Sequence, residues 1–83
     1  MKKLKDILYG VAVESVKGST DVLVSAVEFD SRKIESGSLF VAQKGLEFDG
    51  HNFIDKAVSQ GAAAVICQEL PKETKDSVTY VCV

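Results

Sequence analysis

The stretch "FIDKAVSQGAAAVIC", Phe53 to Cys67, decides the fold. Phe53, Ile54, Ala57 and Val58 recur at the spacing that gathers apolar side chains on one face of a helix. Gly61 follows as a C-terminal cap, because glycine enters the left-handed region without a Cβ clash. Ala62 to Cys67 is then an unbroken apolar run. Directly after a helix, such a run suits a strand covered on both faces, as in the parallel sheets of α/β domains.

Working outward, the other segments fit around that unit. Leu39 to Ala42 reads as a short buried strand. Val22 to Phe29, rich in β-branched residues, reads as one strand or two joined by a kink near Ser25. Val11 to Val16 alternates well enough for a strand, and Lys17 to Asp21 is a turn cluster. Leu4, Ile7 and Leu8 place a short helix over Lys3 to Tyr9, stopped by Gly10. Pro71 and the charged Lys72–Asp76 stretch form a loop, and Val78 to Val83 is a last strand. The expected fold is a small α/β domain with a mixed sheet and about two helices. The chain stops inside that last apolar strand, which predicts a piece cut from a longer polypeptide.

Bulk composition narrows the classes. The chain has 83 residues, 46% apolar and 27% charged, with a net charge of −2. That is one small soluble domain, with no general electrostatic pull toward nucleic acid or anionic lipid. No apolar run reaches the length of a bilayer span, and no signal peptide is read at the N-terminus. Cys67 and Cys82 sit in apolar runs, and His51 is the single histidine. No metal site is expected; two buried, reduced thiols fit a cytoplasmic protein.

Chemistry concentrates between Glu28 and Phe53. Two polar loops, Asp30-Ser31-Arg32 and Gly45 to His51, bracket the strand Leu39–Ala42. Ser31, His51 and Asp49 could be written as a hydrolase triad, but Ser31 lacks the Gly-x-Ser-x-Gly elbow. Gly45 and Gly50 have the spacing of an ATP-binding loop, but His51-Asn52 stands where Lys and Ser/Thr are required, so ATP is not held by that device. A binding cradle fares better. A Ser31 hydroxyl, the turn's N–H groups and the cations Arg32 and Lys33 would suit a phosphate or diphosphate. Leu46 and Phe48 could cover a base or sugar, with both loops opening at one sheet end. The plain alternative is two turns, with the Ser31 oxygen capping nearby N–H groups and Asn52 capping the helix.

"DSRKIESGSLFVAQKG", Asp30 to Gly45, and "DGHNFIDKAVSQGAAAVI", Asp49 to Ile66, resemble the N-terminal domain of the Mur ligases. The resemblance covers nearly the whole chain. It is closer to the E-type, which adds the third stem-peptide residue, than to the F-type, which adds the terminal dipeptide. It implies that residues 1–83 are the UDP-sugar-binding domain of a three-domain ligase of peptidoglycan synthesis. The central domain would bind ATP and Mg2+, and the C-terminal domain the incoming amino acid, diaminopimelate or lysine. This chain alone would hold no cofactor and catalyse nothing. The resemblance further implies that Ser31, Phe29, Leu46, Glu47 and Phe48 contact UDP-N-acetylmuramoyl-L-alanyl-D-glutamate. Asp30, Arg32 and His51 would support them: Asp30 by holding its turn, Arg32 by pairing with a carboxylate or reaching the diphosphate. A competing class is a non-catalytic interaction module that pairs through an exposed strand at Val78–Val83.

Overall fold

The helix–strand unit read in Phe53–Cys67 is present, and it organises a five-stranded sheet. The computed structural model describes residues 1–43 and 49–83. In chain order the elements are β1 (Lys2–Lys3), α1 (Leu4–Ile7), β2 (Ser15–Lys17), β3 (Leu23–Val24), β4 (Val27–Glu28), β5 (Leu39–Val41), α2 (Ile54–Ser59), β6 (Ala64–Cys67) and β7 (Thr79–Cys82). Single 3-10 turns at Ser31–Lys33 and Gly50–Phe53 follow β4 and precede α2. The main sheet has the order β2-β7-β6-β5-β4. Pairs β4·β5, β5·β6 and β6·β7 are parallel, and β2·β7 is antiparallel. β1 and β3 form a separate antiparallel ribbon.

Side-chain alternation divides the core into two layers. Phe40, Val65, Cys67, Tyr80 and Cys82 point to the face covered by Ile54 and Ala57 of α2. Leu39, Ala64 and Val81 point to the other face, under Leu4 and Leu8. The period of two along each strand makes this division. It explains why Ala62–Cys67 reads as unbroken: β6 lies between β5 and β7 and has helices on both sides.

Several element limits differ from the sequence reading. The first helix is only Leu4–Ile7, because Lys2–Lys3 pairs with Leu23–Val24 and the N–H groups of Leu4 and Lys5 donate to Val22 and Thr20 carbonyls. The Val11–Val16 strand shifts to Ser15–Lys17, where β7 offers partners from Cys82 to Tyr80. Val22–Phe29, by contrast, matches its two-strand reading, with the break at Ser25, whose N–H is taken by the Gly37 carbonyl at 2.9 Å. Asn52 does not cap α2. The Asp49 side chain opens the 3-10 turn instead, and Phe53 occupies the cap position without a side-chain capping bond. Thr79–Cys82 is no exposed edge, since β7 has β2 on one side and β6 on the other. The edge-pairing module built on Val78–Val83 therefore loses its basis. Among the described residues no helix is long and apolar enough to cross a membrane.

Candidate functional site

β4 and β5 are parallel neighbours, so the chain leaves both at the same end of the sheet. The first polar loop of the sequence begins there, and the described end of the second, Asp49 to His51, lies beside it through the Gly50–Gln43 bond. Each contains the same local device. Asp30 and Asp49 have nearly the same extended backbone, φ −112 and ψ 118 against φ −114 and ψ 117. The Asp30 carboxylate accepts from the Arg32 N–H at 2.9 Å, and the Asp49 carboxylate from the His51 N–H at 2.9 Å. Each bond closes an aspartate turn, which opens a 3-10 turn. In each loop the residue two positions on also returns its side chain to the same carboxylate.

In the first loop that residue is Arg32. Its Nη2 donates to Asp30 at 2.8 Å and its Nε at 3.1 Å and 3.2 Å, a forked pairing. The guanidinium hydrogen bonds hold the Asp30 carboxyl down to about 2, and the Arg32 pKa is raised in return. In the second loop the residue is His51, whose Nδ1 lies 2.6 Å from Asp49. The Gln68 N–H donates to His51 Nε2 at 2.9 Å. Because Nε2 must accept that bond, the ring proton sits on Nδ1 and points at Asp49. His51 thus ties the loop before α2 to the end of β6. Both ring nitrogens are engaged, so His51 is no base for Ser31, and the Ser31–His51–Asp49 triad is closed off.

Between the loops lies a cleft of about 480 Å³. Phe29, Asp30, Ser31 and Arg32 line it from the first loop, and Phe40, Gln43, Gly50, Phe53 and Lys56 from β5 onward. Phe29 is well exposed, whereas Ser31 is nearly buried. Ser31 is held from behind: Gln60 at the end of α2 donates its side-chain amide to the Ser31 carbonyl at 3.1 Å. Gly50 packs directly on the chain leaving β5, its N–H donating to the Gln43 carbonyl at 2.7 Å. A Cβ on Gly50 would lie 2.7 Å from the Gln43 nitrogen, so only glycine fits there.

Four expected residues, Ser31, Phe29, Asp30 and Arg32, come together at the cleft. His51 stands behind it as a tie. Leu46, Glu47 and Phe48 lie outside the described residues. Among the described residues, the expected anion cradle of N–H groups and two cations is narrowed. The turns use the N–H groups of Arg32 and His51 internally, Arg32 is neutralised by Asp30, and Lys33 does not line the cleft. Sequence reasoning missed Gln43 and Lys56. Lys56 was legible only as a charged position beside the apolar stripe of α2, and Gln43 only as the residue after a strand. Among the described residues no cluster could hold a metal ion.

The family model described as "Mur ligase family, catalytic domain" matches residues 23–81. A UDP-N-acetylmuramoyl-L-alanyl-D-glutamate–2,6-diaminopimelate ligase of Cytophaga hutchinsonii is 51% identical over 84% of this chain and 14% of its own length. The ligase of the same name from Bacteroides fragilis is 44% identical over 95% of this chain and 16% of its own. The chain therefore spans about one-seventh of the curated relatives it matches. Among solved structures, a MurF ligase of Thermotoga maritima in complex with ADP superposes with a TM-score of 0.64. It is 35% identical over 76% of this chain and 14% of that one. A UDP-N-acetylmuramoylalanyl-D-glutamyl-2,6-diaminopimelate–D-alanyl-D-alanyl ligase of Acinetobacter baumannii gives 0.63 at 32% identity, over 72% of this chain and 13% of that one. With the model matched over most of its length, this chain belongs to the Mur ligase family.

Proposed function

We propose that residues 1–83 form the N-terminal, UDP-sugar-binding domain of an ATP-dependent amide-forming ligase of the cytoplasm. The parent would add the third stem-peptide residue to UDP-N-acetylmuramoyl-L-alanyl-D-glutamate. The observation that carries this reading is the cleft at the carboxyl ends of β4 and β5, in a chain of this family. Ligands of open α/β sheets sit at such ends. Phe29 offers an exposed aromatic face to a base, and Ser31 a hydroxyl on a residue whose backbone carbonyl is held by Gln60 of the α2 end. Leu46, Glu47 and Phe48 belong to the same proposed contact set. Asp30, Arg32 and His51 support it by fixing the two turns.

The names of the curated relatives favour the E-type reaction with 2,6-diaminopimelate as the added amino acid. The solved neighbours carry F-type names, and an F-type parent adding D-alanyl-D-alanine is the second reading. ATP and Mg2+ would be held by the central domain and the amino acid by the C-terminal domain, both in the remaining polypeptide. This domain's contribution is positional: gripping the nucleotide end fixes where the distant D-glutamate carboxylate can lie.

An NMR titration with UDP, then with the UDP-muramoyl dipeptide, tests the reading. Shifts should concentrate on Phe29–Arg32, Gln43 and Gly50–Lys56. Ser31→Ala should weaken binding by about 1 kcal/mol or more, the scale of a lost hydrogen bond to a charged group. A folded chain whose cleft resonances ignore both ligands would sink the proposal.

A further inference from the structure

Among the described residues the cleft wall holds two cations, Arg32 and Lys56, and they are not equivalent. Arg32 donates three hydrogen bonds to Asp30, and the pair sums to zero charge. Lys56, on α2, has no carboxylate partner among the described residues. Most described backbone donors of the two turns are also committed. The N–H groups of Arg32 and His51 go to the aspartates, those of Lys33 and Asn52 to the Asp30 and Asp49 carbonyls, and that of Gly50 to Gln43. Neither turn presents the open nest of N–H groups that anion-binding loops use.

Among the described residues, an anionic ligand in this cleft would therefore be met mainly by side chains. We propose that Lys56 is the specificity-determining cation of the cleft, pairing with the diphosphate of a bound nucleotide, and that Arg32 serves only to lock its own turn. This rests on the nucleotide-binding reading of the cleft and assigns its charge recognition to a single residue. Several features fit the role. Lys56 is on α2 but not among its buried residues, Ile54 and Ala57, so it lines the cleft without taking part in the core. A flexible stem carrying a point charge suits a phosphate group whose exact position depends on the rest of the ligand. Helix α2 also holds Ser31 through Gln60. One element would thus hold the Ser31 backbone and carry the cation.

Titrating the 83-residue chain with UDP and with uridine, in wild type, Lys56→Gln and Arg32→Gln, tests the assignment. Lys56→Gln should weaken UDP about fivefold and leave uridine unchanged, the scale of one partly screened charge pair. The salt dependence of UDP binding should flatten in the same variant. Arg32→Gln should weaken UDP less. Equal UDP affinity in wild type and Lys56→Gln would overturn the assignment while leaving the nucleotide reading intact. A larger loss in Arg32→Gln, with the amide resonances of the turn unmoved, would transfer the role to Arg32. Absence of UDP binding to the folded wild type would overturn the nucleotide reading and the assignment with it.

Discussion

Asp30 does the work of two residues: it closes a turn through the Arg32 N–H and cancels the charge of the Arg32 side chain. Its carboxyl titrates at about 2, below the usual value of 3.8, chiefly through the guanidinium hydrogen bonds. A carboxyl whose folded pKa is depressed adds stability above its unfolded pKa and loses it as the pH falls through the folded one. The chain should therefore lose stability between about pH 4 and pH 2, and Asp30→Asn should remove that part of the loss. Urea midpoints measured across this window, wild type against variant, decide it. Parallel pH profiles for the two would show that the pair contributes nothing in solution, as many exposed ion pairs do. The equivalent residue of the second loop, Asp49, is paired with a histidine that is tied to β6, so the two loops share a device and differ in what they are anchored to.

At the scale of elements, the segments most legible in the sequence were those with strong periodicity. Phe53–Cys67 gave α2 and β6 because its pattern changes from helical spacing to an unbroken run at Gly61. Leu39–Ala42 was legible for the same reason, being short, apolar and bounded by turns. The pairing of Lys2–Lys3 with Leu23–Val24 was not, since two lysines carry no strand signal and are placed by backbone bonds alone. The cleft was half legible. Asp30-Ser31 and Asp49-Gly50 announced turns, but whether Arg32 faces a ligand or its own aspartate is a matter of geometry, and Lys56 enters only through the docking of α2. Turn-forming glycines are where element and site meet. Gly50 allows the loop before α2 to lie on the chain leaving β5, with no room for a Cβ. Gly61 ends α2 at φ +107, and its added Cβ would lie 3.0 Å from the Ser36 backbone. Gly61→Ala should cost more than about 1 kcal/mol, the penalty of a strained left-handed residue. Thermal unfolding would register it, and an unchanged midpoint would mean that the α2–β6 connection can relax.

Over the whole molecule, one sheet is covered on each face by one short helix, and the cleft opens at its end. β5 links all three parts: Leu39 faces the α1 layer, whereas Phe40 faces the α2 layer and also lines the cleft. The α1 layer is the thinner one. A helix of four residues does not hold itself; α1 is fixed by its packing and by the bonds of Leu4 and Lys5 to Val22 and Thr20. Leu4 is fully buried against Leu8, Val24, Leu39, Ala64 and Val81. Truncating it opens a cavity that a close-packed layer cannot refill, at about 2–5 kcal/mol for a leucine-to-alanine change. A domain of this size has roughly that much stability in total. Leu4→Ala should thus populate the unfolded chain measurably at room temperature, although Leu4 is remote from the cleft in sequence. Tyr9, 92% exposed and just beyond α1, is the matched control; Tyr9→Ala should stay within about 0.5 kcal/mol of wild type. Urea unfolding of the two variants side by side is the measurement. A Leu4→Ala midpoint no lower than that of Tyr9→Ala would mean that the α1 layer is dispensable and that the α2 layer alone holds the sheet.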